Sequence, residues 1–468
     1  MPEFLERRFD KRSRYYFSLI TVIGNVMVDT AAALYVGSIV LKLLFPEYSS
    51  TTIIILLAIA AAAYTIPGGL NSVIQTEVIQ AILLIIGSCL ITYFAFDQLG
   101  GGWSAMMDGL DGMLSSGQID FGDRAANGAY IPKTAQEVFS VVRPANDEFM
   151  PWWGLISGVA LLGFYFWANN QFMVQRVLGA KDLHHGRMGA LFAGFLKLPV
   201  IFIMIVPGVL ALLLFNDLDI SGLNYPLASG EMCASLTDCP NLTYPVLLFQ
   251  LLPTGVLGLV VAGLLAAMMS SVSATFNSAS TLITMDFVKQ FKPGLDGKQL
   301  VRVGQITTLV LVVLASMWVP FIEKVSDSLW GYLQLVIAFT SPPVVATFIL
   351  GLFWKKSNAN GAFSSLMVGG AFAVFMILSA SFDWSPYIND LHFLAKANLL
   401  FVIAVVVNVV VSLTFGKVDE QKVAEYTYKR SFYNEETEQL KGLPWYKNYR
   451  TLSVILLIIT AIFVGMFW

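Results

Sequence analysis

Charge is what this sequence has least of. Only 13% of its 468 residues are Asp, Glu, Lys or Arg, about half the share of an ordinary soluble protein. Over most of the chain that excludes a solvated globular surface. Histidine and cysteine number three each. No cluster of them has metal-ligand spacing and no nucleophile stands beside a base, which argues against an enzyme. The net charge of −3 says little about partners, because where the basic residues fall matters more than their sum. Nothing in their distribution suggests nucleic-acid binding. The N-terminal stretch Met1-Pro-Glu-Phe-Leu-Glu-Arg-Arg-Phe-Asp-Lys-Arg-Ser-Arg14 lacks an apolar core. It is therefore neither a signal peptide nor a spanning segment, and it reads as a basic cytoplasmic connector following an earlier helix.

What the sequence has in abundance is apolar runs. The hydrophobic share is 56%, gathered into stretches long enough to cross a hydrocarbon core. Hydropathy predicts eleven spans, at 15–45, 52–66, 72–98, 151–172, 189–216, 255–287, 299–322, 327–354, 360–381, 394–415 and 451–468. The second stops at Pro67-Gly68-Gly69, and a short helix is expected over Val246–Leu252, broken by Pro253-Thr-Gly255. The fold class is thus an all-α polytopic membrane protein.

Loops alternate in basicity. Those at 1–14, 67–71, 173–188, 286–303, 354–358 and 416–450 hold 21 of the 28 Lys and Arg, against five in the others. The positive-inside rule places the first set in the cytoplasm. The chain then starts inside and, after an odd number of crossings, ends outside a plasma or inner membrane. Loop 99–150 is external and Gly-rich, whereas 416–450 is a surface-lying cytoplasmic segment. Cys89 lies within an apolar helix. Cys233 and Cys239 share one polar loop, where a disulfide is open to them if the loop faces an oxidising compartment.

Polar groups at membrane depth carry the functional signal, because each costs free energy to place there. The richest stretch runs from Ala266 to Asp286, with eight Ser or Thr side chains before its first charge. Ala267, Ser270 and Ser271 fall at i, i+3 and i+4 and share one helix face. Two adjacent hydroxyls there suit a small hard cation, although small residues also serve close helix packing. Asp29 sits midway along the first span, as a site carboxylate or a packing partner. Lys197 lies about two turns into its span, too deep to snorkel easily. Gln334 offers donor and acceptor together, as a sugar hydroxyl requires, or as interhelical glue does. It precedes Ser341-Pro342-Pro343, where tandem proline predicts a helix broken at membrane depth. Glu77 lies near the cytoplasmic start of its span.

Several ordered motifs resemble the sodium/solute symporter family, and within it the sodium/glucose and sodium/galactose cotransporters. They are Pro2-Glu-Phe-Leu-Glu-Arg-Arg-Phe9; Tyr64-Thr-Ile-Pro-Gly-Gly-Leu through Thr76-Glu77-Val-Ile-Gln80; Trp167-Ala-Asn-Asn-Gln through Gln175-Arg176 to Lys181; Phe195-Leu-Lys-Leu-Pro199; Tyr244-Pro-Val; Phe276-Asn-Ser-Ala-Ser-Thr-Leu-Ile-Thr-Met-Asp286; and Leu352-Phe-Trp-Lys-Lys356. The resemblance covers essentially the whole chain. It implies a LeuT-type core of two inverted five-helix repeats, with sites at the midplane where helices break. The domain reading that follows is a single transporter unit over 1–468. It comprises the connector 1–14, the remainder of the first repeat at 15–98, the external loop 99–150, the second repeat at 151–354 and extra helices at 355–468. Ser270, Ser271 and the Ala267 carbonyl would supply half of a sodium site. Lys197, Gln334 and Asp29 would meet a sugar above Phe166 and Trp167, and Glu77 would stand on the ion path.

The sequence departs from the family at Phe166, where relatives have Tyr, and at Gly163, where one has Asn. Both put galactose in doubt while leaving a hexose or related polyol. The resemblance also implies three further helices ahead of the connector, carrying the rest of the sodium site. The expected function is secondary active import of a sugar by sodium symport, with sodium as coupling ion, no cofactor and membrane lipid as the surroundings. A symporter for inositol, a carboxylate or an amino acid, a sugar sensor without transport, and a non-functional fragment remain open.

Overall fold

In a bilayer a chain this apolar must satisfy its backbone internally, which leaves helices as the economical solution. The computed structural model is helical accordingly. It describes residues 1–119, 128–216, 218–220, 233–236, 239–326 and 328–468, with the side chains at 64, 67–76 and 323 outside the description. Most of the motif from Tyr64 to Gln80 therefore lies outside the described side chains; Thr65, Ile66 and Glu77 onward lie within.

In order the helices are α1 (Pro2–Arg8), α2 (Lys11–Leu44), α3 (Ser50–Leu99), α4 (Trp103–Ser116), α5 (Gly158–Phe164), α6 (Gln171–Leu178), α7 (Leu183–Lys197), α8 (Ile201–Phe215), α9 (Thr243–Leu251), α10 (Thr254–Phe291), α11 (Gly297–Phe321), α12 (Leu329–Phe353), α13 (Ala359–Phe382), α14 (Phe393–Thr414), α15 (Glu420–Tyr426), α16 (Arg430–Leu440) and α17 (Tyr449–Met466). Many begin on a side-chain cap that satisfies an orphan N–H. Asp10 accepts from Ser13, Ser49 from Thr52, Asp182 from His185 and Asn358 from Gly361. Asp296 and Gln299 form a reciprocal capping box at α11. The short helix expected before Pro253 is α9.

Among the described residues eight helices are long and apolar enough to cross a membrane, or nine if the bent pair α7 and α8 counts as one crossing. That is fewer than the eleven the sequence predicts, for two reasons. The apolar stretch Ser50–Ala63 is too short to qualify alone. Residues 151–172 form no single helix: α5 passes through a π-helical turn at Tyr165–Asn169, stops at Asn170 and restarts as α6.

Helical turns continue through the loop expected at 67–71 in α3, but the direction of the chain reverses across it. The packing of α3 against α10 reverses along its length. Leu57 and Met268 meet at Gly37, and Thr65 lines a cavity with Ser280 and Thr284, so numbers rise together on both helices. Beyond Glu77, Leu83 faces Gly263 and Gly87 faces Val260, so they run oppositely. The two limbs of α3 are therefore antiparallel to each other.

The break predicted at Ser341-Pro342-Pro343 is absent, because α12 runs unbroken from Leu329 to Phe353 with both prolines inside. Each proline removes one donor, but its surroundings hold the helix. The Thr340 hydroxyl donates to the Val336 carbonyl at 2.9 Å and that of Thr347 to the Pro343 carbonyl at 2.9 Å. The Pro343 ring lies in a notch over Gly369, where a Cβ would come within 2.5 Å of it. The chain breaks instead at Asn170, whose extended backbone (ψ 120°) and side chain cap α6, and by a 44° bend just after Lys197.

Loops assigned to one side of the membrane by charge meet in space. Arg8 donates to the carbonyls of Gly351, Trp354 and Ser357 at 2.9, 3.4 and 3.1 Å. Lys422 donates to the Phe9 carbonyl at 2.7 Å. Arg14 pairs with Asp286, and Arg187 with Glu436. At the other end the Val141 N–H donates to the Phe467 carbonyl at 2.7 Å, and Phe149 stacks on Trp330 at 4.4 Å. Cys233 and Cys239 are joined there in a disulfide.

Candidate functional site

Regular helix leaves little for a ligand to hold, so irregular turns mark where a membrane protein can bind one. Among the described residues four π-helical turns occur, at Asn25–Thr30, Tyr165–Asn169, Ile201–Ile205 and Ile283–Val288. The first contains Asp29 and the second Phe166 and Trp167. The third begins four residues after Lys197, and the fourth closes the hydroxyl-rich run. A π turn shifts the carbonyl register, and at the first turn a partner collects the displaced oxygen. The Tyr332 hydroxyl, wholly buried on α12, donates to the Met27 carbonyl at 2.6 Å and accepts from Trp318 Nε1 at 2.7 Å. That clamp fixes the α2 turn against α12, the helix that carries Gln334.

Asp29 is half-buried and faces Tyr165 and the charge of Arg176 across the gap between α2 and the α5–α6 break. Arg176 is held on its other side by Glu77. Its Nη2 donates to Glu77 Oε1 at 2.5 Å and its Nε to Oε2 at 3.2 Å, a two-pronged pair. Nη1 donates to the Phe172 carbonyl at 2.7 Å, and the guanidinium sits 3.9 Å over the Phe172 ring. Arg176 is thus paired with Glu77 and lies within the field of Asp29, two acids far apart in sequence. Sequence reasoning kept Arg176 only as a letter of a motif. The signal available was its place about two turns beyond Asn169-Asn170, a pair whose preference for cap positions marks a helix start.

The Phe166 and Trp167 rings lie edge to face at 5.8 Å, Phe166 half-buried and Trp167 exposed. Gly163, one turn earlier, has open space where a side chain would stand. Gln334 is half-buried, two residues from the Tyr332 clamp, with no hydrogen-bonding partner among the described residues. Lys197 is exposed at the end of α7, a helix packed on α6 and α17. No hydrogen bond or ion pair among the described residues ties it to Asp29 or Gln334.

The hydroxyl-rich face is divided by its packing. Ser270 is 1% exposed, and its Oγ has no hydrogen-bond partner among the described residues. Ser271 is exposed, with its carbonyl taken by the Thr275 hydroxyl at 2.7 Å, and Ala267 is half-buried. Most buried hydroxyls find a partner; Ser270, like Ser273 and Thr284 on the same helix, has none among the described residues. Further along the same helix, Asn25 Nδ2 donates to Ser278 Oγ at 3.2 Å, and Asp286 accepts from Ser18 and Arg14. These bonds fix α10 along α2, so Ser270 and the Asp29 turn belong to one helix pair.

The fold and its irregular turns define a multi-pass, all-helical integral membrane protein. The family model for the sodium:solute symporter family matches residues 1–369. Sodium/glucose cotransporter 4 of Danio rerio is 32% identical over 466 residues, covering 96% of this chain and 68% of that protein. The sodium/mannose cotransporter of Bos taurus is 31% identical over 425 residues, 88% of this chain and 69% of that protein. The sodium/myo-inositol cotransporter of Homo sapiens is 33% identical over 445 residues, 92% of this chain and 61% of that protein. Among solved structures, a substrate-bound, outward-open sodium-coupled sialic acid symporter is similar in fold. Its TM-score is 0.64 at 21% identity, covering 89% of this chain and 78% of that one. The chain belongs to the sodium:solute symporter family, a family of transporters and not of enzymes. It spans between 61% and 69% of the length of the curated relatives named above.

Proposed function

We propose that this chain works as a sodium-coupled importer of a neutral polyhydroxy solute, a hexose or an inositol-like polyol, by alternating access. The observation that carries this reading is the free, buried Ser270 hydroxyl, on the helix fastened to the turn that holds Asp29. Relatives named for glucose, mannose and myo-inositol support a polyol as the cargo. Ser270, Ser271 and the Ala267 carbonyl offer sodium hard oxygen ligands of the kind it prefers. Asp29 and Gln334 offer acceptor and donor groups to hydroxyls, and Phe166 with Trp167 gives a ring face beneath them. Lys197, at the bend, reaches the solute only in a conformation that closes α7 toward α12.

The LeuT-type inverted repeat supplies the motion in this reading, with the breaks at Asn170 and after Lys197 as its joints. Sodium drives import only by binding the solute-competent state better than the alternative. The membrane potential then adds about 2.3 kcal/mol per charge for each 100 mV. The basic ends gathered around Arg8, Arg187 and Lys422 lie in the cytoplasm, and the disulfide-bearing end faces outside.

The test is uptake of labelled hexoses, inositol, amino acids and carboxylates into proteoliposomes, with sodium or with choline outside. Sodium-dependent accumulation of a neutral polyol is expected. Accumulation confined to a carboxylate or amino acid would overturn the cargo, and binding without accumulation would make the protein a sensor.

A further inference from the structure

Away from the proposed transport site, a cavity of about 500 Å³ opens beside the ends of two spans. It is lined by Lys355 and Lys356, just past the end of α12 at Phe353, and by Lys429 with Val418, Val423, Ala424 and Thr427 of the segment following α14. Three lysines face one carboxylate, Glu420. Thr427 is 2% exposed, and its hydroxyl has no hydrogen-bond partner among the described residues. The Tyr428 N–H donates to the Leu352 carbonyl at 2.9 Å, which holds this segment against α12 and gives the cavity a fixed floor. Phe353 and Tyr428, their rings 5.8 Å apart, stand exposed at the rim, as does Phe415 at the end of α14. Of these, the amphipathic Tyr428 ring is of the kind that settles at the level of lipid headgroups.

We propose that this cavity binds the phosphate headgroup of an anionic phospholipid. Cationic ammonium groups and a free buried hydroxyl are what phosphate oxygens require, and the position just beyond two span ends puts them at headgroup depth. Val418, Val423 and Ala424 add apolar lining, which a free phosphate would leave unused. The lipid ties the α12 end to α15, and so anchors the segment between α14 and α17 to the bilayer.

The experiment uses the full chain purified in mild detergent, with phosphatidylglycerol retention measured by native mass spectrometry against phosphatidylcholine. Lys355→Gln/Lys356→Gln/Lys429→Gln is expected to lower phosphatidylglycerol retention at least about tenfold, since each lysine near an anionic surface contributes about a fivefold factor. Thr427→Val keeps the charge and is expected to lower retention about threefold. Lys441→Gln/Lys447→Gln, in the same loop but outside the cavity, is expected to leave it unchanged. Equal loss in that control would reduce the effect to general surface charge and overturn the site. Full displacement of the lipid by soluble glycerophosphate at equal concentration would make it a free-phosphate site and overturn the lipid.

Discussion

Arg176 explains why Asp29 and Glu77 had to be read together. Each looked like a separate intramembrane acid in the sequence, and the cation that pairs with Glu77 within the field of Asp29 lies 99 residues from Glu77, a distance no local pattern reports. The types were legible because buried acids at membrane depth are costly, and the pairing was not, because it depends on how α3, α6 and the α2 turn pack. Glu77→Gln leaves the Arg176 guanidinium without its paired carboxylate and loses a charge-assisted pair of about 1.5–3 kcal/mol. Sodium-driven uptake is expected to fall about tenfold, with partial recovery in Glu77→Asp. Equal activity of Glu77→Gln and the parent would remove Glu77 from the ion path. Lys197 shows the opposite case. Its depth in the sequence suggested a contact, but the bend that follows it leaves the side chain exposed.

For helices, periodicity and apolar length located nearly every element, yet where a helix breaks was misjudged. Tandem proline argued for a break in α12 and Asn169-Asn170 drew no notice, whereas the structure holds α12 straight and interrupts the chain at Asn170. The difference lies with neighbours, because Gly369 on α13 makes room for the Pro343 ring. Gly369→Ala is therefore expected to lower the melting temperature in detergent, at a cost of about 1–3 kcal/mol from overpacking against a ring that cannot rotate away. Gly24→Ala meets open space and is expected to be neutral or slightly stabilising, by up to about 1 kcal/mol. The antiparallel limbs of α3 make a second expectation. Cysteines placed at Tyr48 and Gly102 should react with an impermeant maleimide from the same side of the vesicle; labelling from opposite sides would contradict the reversal.

The gathering of the basic loops at one end was the most legible global property. The loops grouped by their basic residues do meet at one end, through Arg8, Arg14, Arg187 and Lys422. How they are bonded was not legible, since these contacts join segments far apart in sequence. One of them is sensitive to pH. The Glu436 carboxyl is held below the ordinary glutamate value first by the Tyr449 hydroxyl, and then by Arg450 and Arg187. A depressed carboxylate stabilises the folded state above its unfolded pKa, and the contribution is lost as pH falls through the lowered value. The hydrogen-exchange protection factor of α16, taken against the intrinsic rate at each pH, is thus expected to be high at neutral pH and to fall on acidification below about 4.3. Glu436→Gln should show the lower factor at both.

Sodium coupling through α10 is the central claim, and Ser270 and Ser271 separate it from mere helix packing. The direct measurement is the sodium dependence of polyol uptake in proteoliposomes for the parent, Ser270→Ala and Ser271→Ala. Loss of one hard-oxygen ligand should raise the half-activating sodium concentration about tenfold or more in Ser270→Ala, with solute affinity at saturating sodium unchanged and a smaller shift in Ser271→Ala. An unchanged sodium dependence in Ser270→Ala, or a loss of solute affinity alone, would contradict the assignment.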